Sequence, residues 1–182
     1  MELYLVRHTS VNIPKGLCYG QSEVPLNETF IQEASIVKSK LLPISFYSIF
    51  SSPSSRCTSL SEYCNYAHIT DNRLMEMNFG KWEMQQWDKI EDNRLQKWFD
   101  NWIETPATNG ESFNEMYKRV SLFLDEVQTS HFSRTKPAEP QRILVFTHAG
   151  FILCAKIYAG IVSFKDAFSS VPGFGSITII SL

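Results

Sequence analysis

Glu2-Leu3-Tyr4-Leu5-Val6-Arg7-His8, near the start of the chain, is the stretch that decides the fold. Residues 2–6 form a short, mostly apolar run, which is typical of a strand buried on both faces of a sheet. The run stops at Arg7 and His8, so this polar pair is expected just beyond the end of the strand. In open α/β sheets, ligands bind beyond the carboxyl ends of the strands. The stretch therefore predicts a buried parallel strand with a polar site at its end.

The region after this strand predicts a helix, a second strand and a second helix. Asn27 is expected to cap the first helix and Pro43 to end it. Residues 47–50 predict the strand, and the second helix follows Pro53 with Arg56 in its first turn. The apolar positions at helical spacing are Phe30, Ala34, Val37 and Leu41 in the first helix and Cys57, Leu60, Cys64 and Ala67 in the second.

The segment from about residue 73 to residue 110 is rich in aromatic residues that lie among acids and lysines. We interpret it as an inserted helical segment that covers one end of the sheet. Ser112 and Glu115 then form a capping box, in which each side chain accepts a backbone N–H of the other residue. This pair predicts the start of a long helix, whose apolar stripe consists of Phe113, Met116, Val120, Phe123 and Val127.

The last part of the chain predicts two more strands with a helix between them. Residues 133–141 contain two prolines and mixed charges, which indicate a surface loop. Residues 142–147 predict a buried strand, His148 follows it, and a helix then ends at Gly160. Residues 176–181 predict the final strand. Strands that alternate with helices predict an α/β fold in one domain, 1–182, as a three-layer α/β/α sandwich with a mostly parallel central sheet.

Composition narrows the classes of function. The chain has 182 residues, of which 43% are hydrophobic and 20% charged, as in one soluble globular domain. Its net charge of −2 provides no basic surface, so we expect neither a nucleic-acid partner nor a membrane partner. The scattered cysteines and the short apolar start favour a reducing cytoplasm over secretion or zinc binding. Monomer and homodimer both remain open.

Polar residues follow three of the predicted strands, at Arg7-His8, at Ser52–Arg56 and at His148, and this coincidence indicates one anion site. A phosphate monoester is a dianion, which two arginines can bind bidentately without a metal or another cofactor. Next to the charge of Arg7, His8 is expected to stay neutral and to attack phosphorus as the nucleophile. His148 is expected to donate a hydrogen bond to the phosphoryl oxygens.

Two further features complete the predicted chemistry. Free N–H groups are expected at the start of the helix that carries Arg56 and of the helix that follows His148. The leaving alkoxide needs a proton, and Glu76 is the predicted donor, with Glu83 as the alternative. Taken singly, each arginine or histidine is equally compatible with an ordinary hydrogen-bonded strand end. Glu76 is likewise compatible with a solvated loop carboxylate. Their convergence on one edge of the sheet favours a substrate site.

Four motifs follow one another along nearly the whole chain: Leu5-Val-Arg-His8, Ser51-Ser-Pro-Ser-Ser-Arg56, Leu74-x-Glu-x-x-Phe-Gly80-x-Trp82-Glu83 and Thr147-His-Ala-Gly150. Together they resemble the histidine phosphatase superfamily, also called the phosphoglycerate mutase-like family. The resemblance implies a phosphohistidine intermediate at His8, a phosphate pocket of Arg7, Arg56 and His148, and Glu76 as the acid. One departure is Thr9-Ser10-Val11, where the family usually has glycine, then an acid or glutamine, then Thr or Ser.

Within this superfamily, residues 20–26, 79–84 and 106–113 are most similar to the α-ribazole phosphatases of cobalamin assembly. This similarity implies hydrolysis of a small phosphomonoester, α-ribazole 5′-phosphate. The alternatives are a phosphoglycerate mutase, a general sugar or nucleotide phosphatase, and a non-catalytic phosphate-binding protein. A mutase must keep water from the phosphoenzyme, which favours a cover larger than the about 35 residues available here. The further substrate-binding residues are expected to be Asn12, Gln21, Ser22 and Ala149.

Overall fold

The computed structural model describes residues 1–130 and 141–182, and a five-stranded sheet runs through its centre. In chain order the elements are β1 Glu2–Arg7, α1 Phe30–Leu41, β2 Ser48–Ser51, α2 Ser55–Tyr63, β3 Ile69–Thr70, α3 Leu95–Asp100, α4 Phe113–Ser130, β4 Arg142–Thr147, α5 Ala149–Tyr158 and β5 Ile177–Ser181. The strand order is β3-β2-β4-β1-β5. The first four of these are parallel, whereas β5 runs antiparallel to β1.

Helices cover both faces of the sheet, as the uninterrupted apolar runs of β1 and β4 predict. Leu3 and Leu5 belong to the core on the side of α4 and α5. Tyr4 and Val6, which alternate with them along β1, belong to the core on the side of α1 and α2. The predicted α/β fold, a three-layer sandwich with a mostly parallel sheet, is therefore confirmed.

The long helix α4 begins as predicted. The Ser112 N–H donates to Glu115 Oε2 at 2.8 Å, and the Glu115 N–H donates to Ser112 Oγ at 3.2 Å, which completes the capping box. All five residues of the predicted apolar stripe are buried. At the end of α5, Gly160 adopts a φ of +69°, a left-handed conformation that suits glycine after a helix.

Two of the predicted helix boundaries are wrong. Helix α1 begins at Phe30 and its N-cap is Thr29, so Asn27 lies too early to cap it, and Asn27 Oδ1 accepts the Thr29 N–H at 3.4 Å. Helix α2 ends at Tyr63, because Asn65 takes a left-handed φ of +64° that stops the helix. Ala67 therefore lies beyond the helix and is exposed, not on its buried face.

The segment covering one end of the sheet is helical only in short pieces, which corrects the prediction of a helical insertion over 73–110. It contains three single 3₁₀ turns and the six-residue helix α3. Positive φ angles at Gly80 (+54°) and Met84 (+64°) interrupt any longer helix. A cluster of aromatic rings holds the segment together instead, with Trp82 buried and its Nε1 donating to Asp92 Oδ2 at 2.7 Å. We call residues 73–110 the covering segment.

The surface loop predicted for residues 133–141 lies outside the described residues, apart from Gln141. Among the helices that the structure does describe, none is both long and apolar enough to cross a membrane.

Candidate active site

His8 lies just beyond β1, and the sheet fixes its backbone. Its side chain is 2% exposed, and its Nδ1 lies 2.7 Å from the carbonyl oxygen of Thr9. A carbonyl only accepts hydrogen bonds, so Nδ1 carries the ring proton and Nε2 keeps a free lone pair. Burial, followed by the charge of Arg56 and then that of Arg7, lowers the pKa of His8 to about 3. The predicted neutral ring is supported, although burial and Arg56 contribute more than Arg7.

The two predicted arginines lie beside this ring. Arg56 is fully buried, and its Nη1 and Nη2 donate to the carbonyls of Ser22 (3.0 Å) and Gly20 (2.7 Å). Arg7 donates from Nη1 to the carbonyl of Pro172 at 2.5 Å. Backbone oxygens therefore hold both guanidinium groups in place while leaving their Nε atoms unpaired.

His148 follows β4 and is fully buried, with its ring centroid 5.2 Å from that of His8. Burial is the first cause that lowers its pKa well below the usual value, and the positive charge of Arg56 is the next. Its Nε2 lies 2.8 Å from Ser52 Oγ, at the end of β2. Because β1, β2 and β4 are parallel neighbours, their ends bring His8, Ser52 and His148 to one edge of the sheet.

Buried polar atoms without a hydrogen-bond partner gather at this edge. An unpaired buried donor or acceptor costs about 1–3 kcal/mol, so native structures rarely keep several of them together without a function. Donors at this edge suit the oxygens of a tetrahedral dianion. Within the described part of the chain, the atoms are Arg7 Nε, Thr9 Oγ1, Ser54 Oγ, Arg56 Nε and His148 Nδ1.

Glu76 belongs to the covering segment and lies against the start of α5. The Gly150 N–H donates to both of its carboxylate oxygens, at 3.1 and 3.2 Å, and the Met77 N–H donates to Oε1 at 2.9 Å. Tyr19 connects this acid to the arginines, because Tyr19 and Glu76 line the same cavity and the ring of Tyr19 lies 5.3 Å from the Arg56 guanidinium. The carboxylate therefore borders the same site as the guanidinium groups.

Glu83, the alternative acid, holds nearby backbone in place through hydrogen bonds to both of its carboxylate oxygens. Its Oε1 accepts the N–H groups of Gln21 (2.9 Å) and Phe79 (3.0 Å). Its Oε2 accepts the N–H (2.6 Å) and the hydroxyl (2.5 Å) of Ser22. These bonds fasten residues 20–22, whose carbonyls hold Arg56, to the covering segment. Glu83 is therefore an anchor for the Arg56 loop, and, unlike Glu76, it is not among the described residues that line the cavity beside the pocket.

At each of the two helix starts where the sequence predicted free N–H groups, a carboxylate occupies one N–H group. At α2, the Ser55 N–H donates to both oxygens of Glu23, each at 3.1 Å. At α5, the Gly150 N–H is taken by Glu76. Acidic side chains suit these positions since the N-terminus of a helix carries a partial positive charge. Within the described residues, the unpaired buried nitrogen atoms at this edge are Arg7 Nε, Arg56 Nε and His148 Nδ1.

An apolar cavity of about 190 Å³ lies beside Glu76, between the covering segment and the start of α5. Aromatic side chains form part of its wall, including Phe79 and Trp87 of the covering segment and Phe168 from the region before β5. Glu76 is the one charged residue among those that line it. The site therefore has two halves, a cationic anion pocket at His8 and an apolar cavity, with Glu76 bordering both.

A buried neutral imidazole with a free Nε2, surrounded by arginine donors at the ends of parallel strands, defines an enzyme that transfers phosphoryl groups. Comparison of the sequence with family models identifies the family of phosphoryl-transfer enzymes to which the chain belongs. The model described as the histidine phosphatase superfamily (branch 1) matches residues 3–182, and the chain belongs to this family. The predicted family is thereby confirmed, and with it a phosphatase of the phosphohistidine type.

Individual relatives agree with this assignment but carry different names. The chain is 28% identical to phosphoserine phosphatase 1 of Hydrogenobacter thermophilus, over 74% of this chain and 68% of that protein. It is 29% identical to the adenosylcobalamin/alpha-ribazole phosphatase of Escherichia coli, over 84% and 75%. The crystal structure of the alpha-ribazole phosphatase from Shigella flexneri superposes with a TM-score of 0.85 at 24% identity, covering 100% of this chain and 91% of that one.

The predicted substrate-binding residues lie at different distances from the pocket. Ala149 lines the cavity, and Gln21 donates from Nε2 to the backbone carbonyl of Glu76 at 3.0 Å. Ser22 contributes its carbonyl to Arg56, while its hydroxyl is bound to Glu83. Asn12 is exposed, and its backbone N–H donates to the carbonyl oxygen of Pro25 at 2.8 Å. Direct contacts of these four residues with substrate stay predictions.

Sequence reasoning missed three residues that shape the site. Ser52 binds His148, the ring of Tyr19 lies 5.3 Å from the Arg56 guanidinium, and the ring of Phe174 lies 3.9 Å from that of Arg7. Ser52 lies within one of the motifs that carry the resemblance, and Tyr19 directly precedes residues 20–26. This position is the one sequence signal that could have identified either residue. Phe174 lies far from every motif, and its position depends on the antiparallel pairing of β5 with β1.

Proposed function

We propose that this enzyme hydrolyses phosphomonoesters through a covalent phosphohistidine at His8, and that its preferred leaving group carries an apolar aromatic ring. The best candidate is α-ribazole 5′-phosphate. The observation that carries the proposal is the gathering of unpaired buried donors around a neutral His8 whose Nε2 is free. An apolar cavity directly beside the acid supports the choice of leaving group.

The first chemical step forms a bond from His8 Nε2 to phosphorus and breaks the bond from phosphorus to the ester oxygen. Nδ1 remains bonded to the Thr9 carbonyl, which stabilises the positive charge that develops on the ring as Nε2 is phosphorylated. Arg7 and Arg56 bind the equatorial oxygens and compensate their charge. Glu76, in its protonated form, gives its proton to the departing alkoxide.

The second step returns the enzyme to its starting state. The Glu76 carboxylate takes a proton from a water molecule, whose oxygen attacks phosphorus opposite Nε2. The bond from Nε2 to phosphorus breaks, inorganic phosphate leaves, and His8 regains its lone pair. The acid of the first step is thus the base of the second, and the position of Glu76 in the lining of the cavity supports both proposed roles.

The cavity favours an uncharged aromatic leaving group over a carboxylate. Phosphoserine and 3-phosphoglycerate both carry a carboxylate, which would lie near Glu76 among described lining residues that include no compensating cation. Burying an unpaired charge in such a place is costly. The benzimidazole ring of α-ribazole has no charge to compensate and can pack against Phe79 and Trp87, which line the same cavity.

A panel of phosphomonoesters tests this proposal. The panel contains α-ribazole 5′-phosphate, ribose 5-phosphate, AMP, 3-phosphoglycerate, phosphoserine and p-nitrophenyl phosphate, and kcat/KM is measured for each. Burial of an aromatic base is worth about 1.5–3 kcal/mol, so α-ribazole 5′-phosphate should exceed ribose 5-phosphate about 10- to 100-fold. Equal values for these two substrates, or isomer formation from 3-phosphoglycerate, would contradict the proposal.

A monomeric or homodimeric state and a cytoplasmic location stay predictions from the sequence.

A further inference from the structure

A buried hydrogen bond lies behind His148, on the side away from its unpaired nitrogen. Ser52 Oγ is 2.8 Å from His148 Nε2, and both residues are fully buried. His148 Nδ1 is also buried, yet within the described residues it has no hydrogen-bond partner. One ring nitrogen is thus bound to the protein while the other remains available. A neutral imidazole has a single N–H, so its location decides what the free nitrogen can do.

The neighbours of Ser52 indicate the direction of this hydrogen bond. Ser52 Oγ accepts the backbone N–H of Ser54, at 3.4 Å, which leaves its own proton available to donate. The Cys57 thiol, 3.6 Å from Nε2, is also 3.5 Å from the carbonyl of Thr147, which can accept its S–H. Burial raises the pKa of this thiol to about 12, so it stays protonated. The Ser52 hydroxyl also lies within hydrogen-bond reach of this sulfur, but a thiol sulfur is a weak acceptor, so the lone pair at His148 Nε2 is the stronger acceptor for the Ser52 proton.

We propose that Ser52 is a positioning residue that selects the tautomer of His148: the Ser52 hydroxyl donates to Nε2, and the ring proton therefore resides on Nδ1. This inference rests on the proposed phosphohistidine chemistry. In this tautomer, Nδ1–H is a donor for a phosphoryl oxygen. In the other tautomer, a lone pair would occupy the same position and would repel the dianion. Ser52 thus acts on the reaction through His148 without contacting the substrate.

The tautomer can be observed directly. Long-range ¹⁵N–¹H correlation spectra of the full-length enzyme distinguish a protonated Nδ1 from a protonated Nε2 at His148. We expect Nδ1–H in the wild-type enzyme and a loss of this preference in Ser52→Ala. A wild-type spectrum with Nε2–H would overturn the inference whatever the kinetics show.

Kinetics provide the second measurement, and Ser51→Ala is the matched control. Ser51 is equally buried at the end of the same strand, but its hydroxyl donates to the backbone carbonyl of Ser52 at 2.9 Å and not to His148. Ser52→Ala should lower kcat about 10- to 100-fold, as expected when an oxyanion donor is misdirected, with a smaller change in KM. Ser52→Thr, which keeps a hydroxyl, should recover the tautomer and most of kcat.

The outcomes separate this inference from the proposed function. If the wild type forms phosphohistidine but Ser52→Ala keeps both kcat and the tautomer, the role of Ser52 is refuted and the proposed function stands. Equal losses of kcat in Ser52→Ala and Ser51→Ala would also refute it, since a general packing defect would then explain both. If no phosphohistidine forms at His8, the proposed function fails, whereas the spectra still test the tautomer.

Discussion

The sheet edge and the covering segment build the two halves of the active site by different means. At the edge, His8 and His148 each follow a strand whose neighbours fix its backbone, and both side chains are buried. The covering segment has only single turns and a six-residue helix, so side-chain bonds position its functional residues. Glu83 fastens Gln21 and Ser22 through three such bonds, and a fourth, from the Phe79 N–H, secures its own segment.

This difference separates chemistry from specificity. Phosphoryl transfer needs the same geometry for every phosphomonoester, and a rigid sheet edge supplies it. The choice of leaving group requires a wall that can change without disturbing the strands, and irregular segments tolerate such change. Variants at the edge should therefore affect all substrates alike, whereas variants of the covering segment should discriminate between them.

The largest effect is expected for His8→Ala. Removing the nucleophile should lower kcat at least about 10³-fold for every substrate in the panel, because no other group replaces Nε2. Substrate turnover quenched in alkali, which preserves phosphohistidine, should show phosphate on His8 of the wild type and none on the variant. His68→Ala, at a histidine outside the pocket, serves as the control and should retain activity. If the residual activity of His8→Ala differed strongly from one substrate to another, the claim that the sheet edge affects all substrates alike would be contradicted.

The proton donor should produce the next largest effect, and it depends on the leaving group. Glu76→Gln should lower kcat/KM about 100-fold for an alkyl ester such as ribose 5-phosphate. It should scarcely affect p-nitrophenyl phosphate, whose leaving group needs no proton. Equal losses for the two substrates would argue against Glu76 as the acid.

Gly150→Ala tests the same role without altering the carboxylate. A Cβ at this position would contact Glu76 Oε1 and would lie 3.1 Å from Met116 Cε, and both atoms are flexible ends of side chains that can move aside. The carboxylate then loses its alignment with the Gly150 N–H, and the better helix propensity of alanine offsets part of that loss in stability. The variant should therefore reproduce the leaving-group dependence of Glu76→Gln while keeping the Tm near that of the wild type. Gly173→Ala is a matched control, because an added Cβ there meets no atom within 4 Å.

Much of the sheet edge could be predicted from the sequence, because strand ends are encoded locally. The polar residues that interrupt apolar runs at Arg7-His8 and His148 give both the strand boundary and the site. The occupants of the helix starts could not be predicted, since Glu23 reaches Ser55 from 32 residues away and Glu76 reaches Gly150 from 74. Such pairings depend on the tertiary fold.

The covering segment was harder to predict for a related reason. Its aromatic residues indicated packing, but their spacing cannot reveal that Trp87 stacks on Trp98, with ring centroids 5.5 Å apart, instead of forming a helical stripe. Glu83 illustrates the same difficulty: a carboxylate next to a predicted acid has the chemistry of a proton donor, and only its hydrogen-bond partners show that it is an anchor.

The sheet edge should also govern how stability responds to acid. In the folded state the pKa of His8 is lowered to about 3, mainly by burial, against about 6.5 in the unfolded chain. Between these values the unfolded chain binds the additional proton, so the free energy of unfolding should fall by up to about 1.4 kcal/mol for each pH unit below 6.5. Denaturant titrations at pH 7, 6 and 5 should show this slope, and it should be shallower in His8→Gln. An identical slope in the variant would contradict the neutral, buried state of His8.

The smallest effect is expected at the wall of the cavity, where Trp87→Leu keeps an apolar side chain but removes the aromatic face. Aromatic contacts are worth about 0.5–1.5 kcal/mol, so KM for α-ribazole 5′-phosphate should rise about 3- to 10-fold. KM for ribose 5-phosphate, which has no ring to place in the cavity, should stay unchanged. Phe99→Leu is the control, because Phe99 contacts Trp87 at 6.1 Å between ring centroids and is half-exposed but does not line the cavity. A parallel rise of KM for both substrates would show that the covering segment supports the anion pocket as a whole and does not select the leaving group.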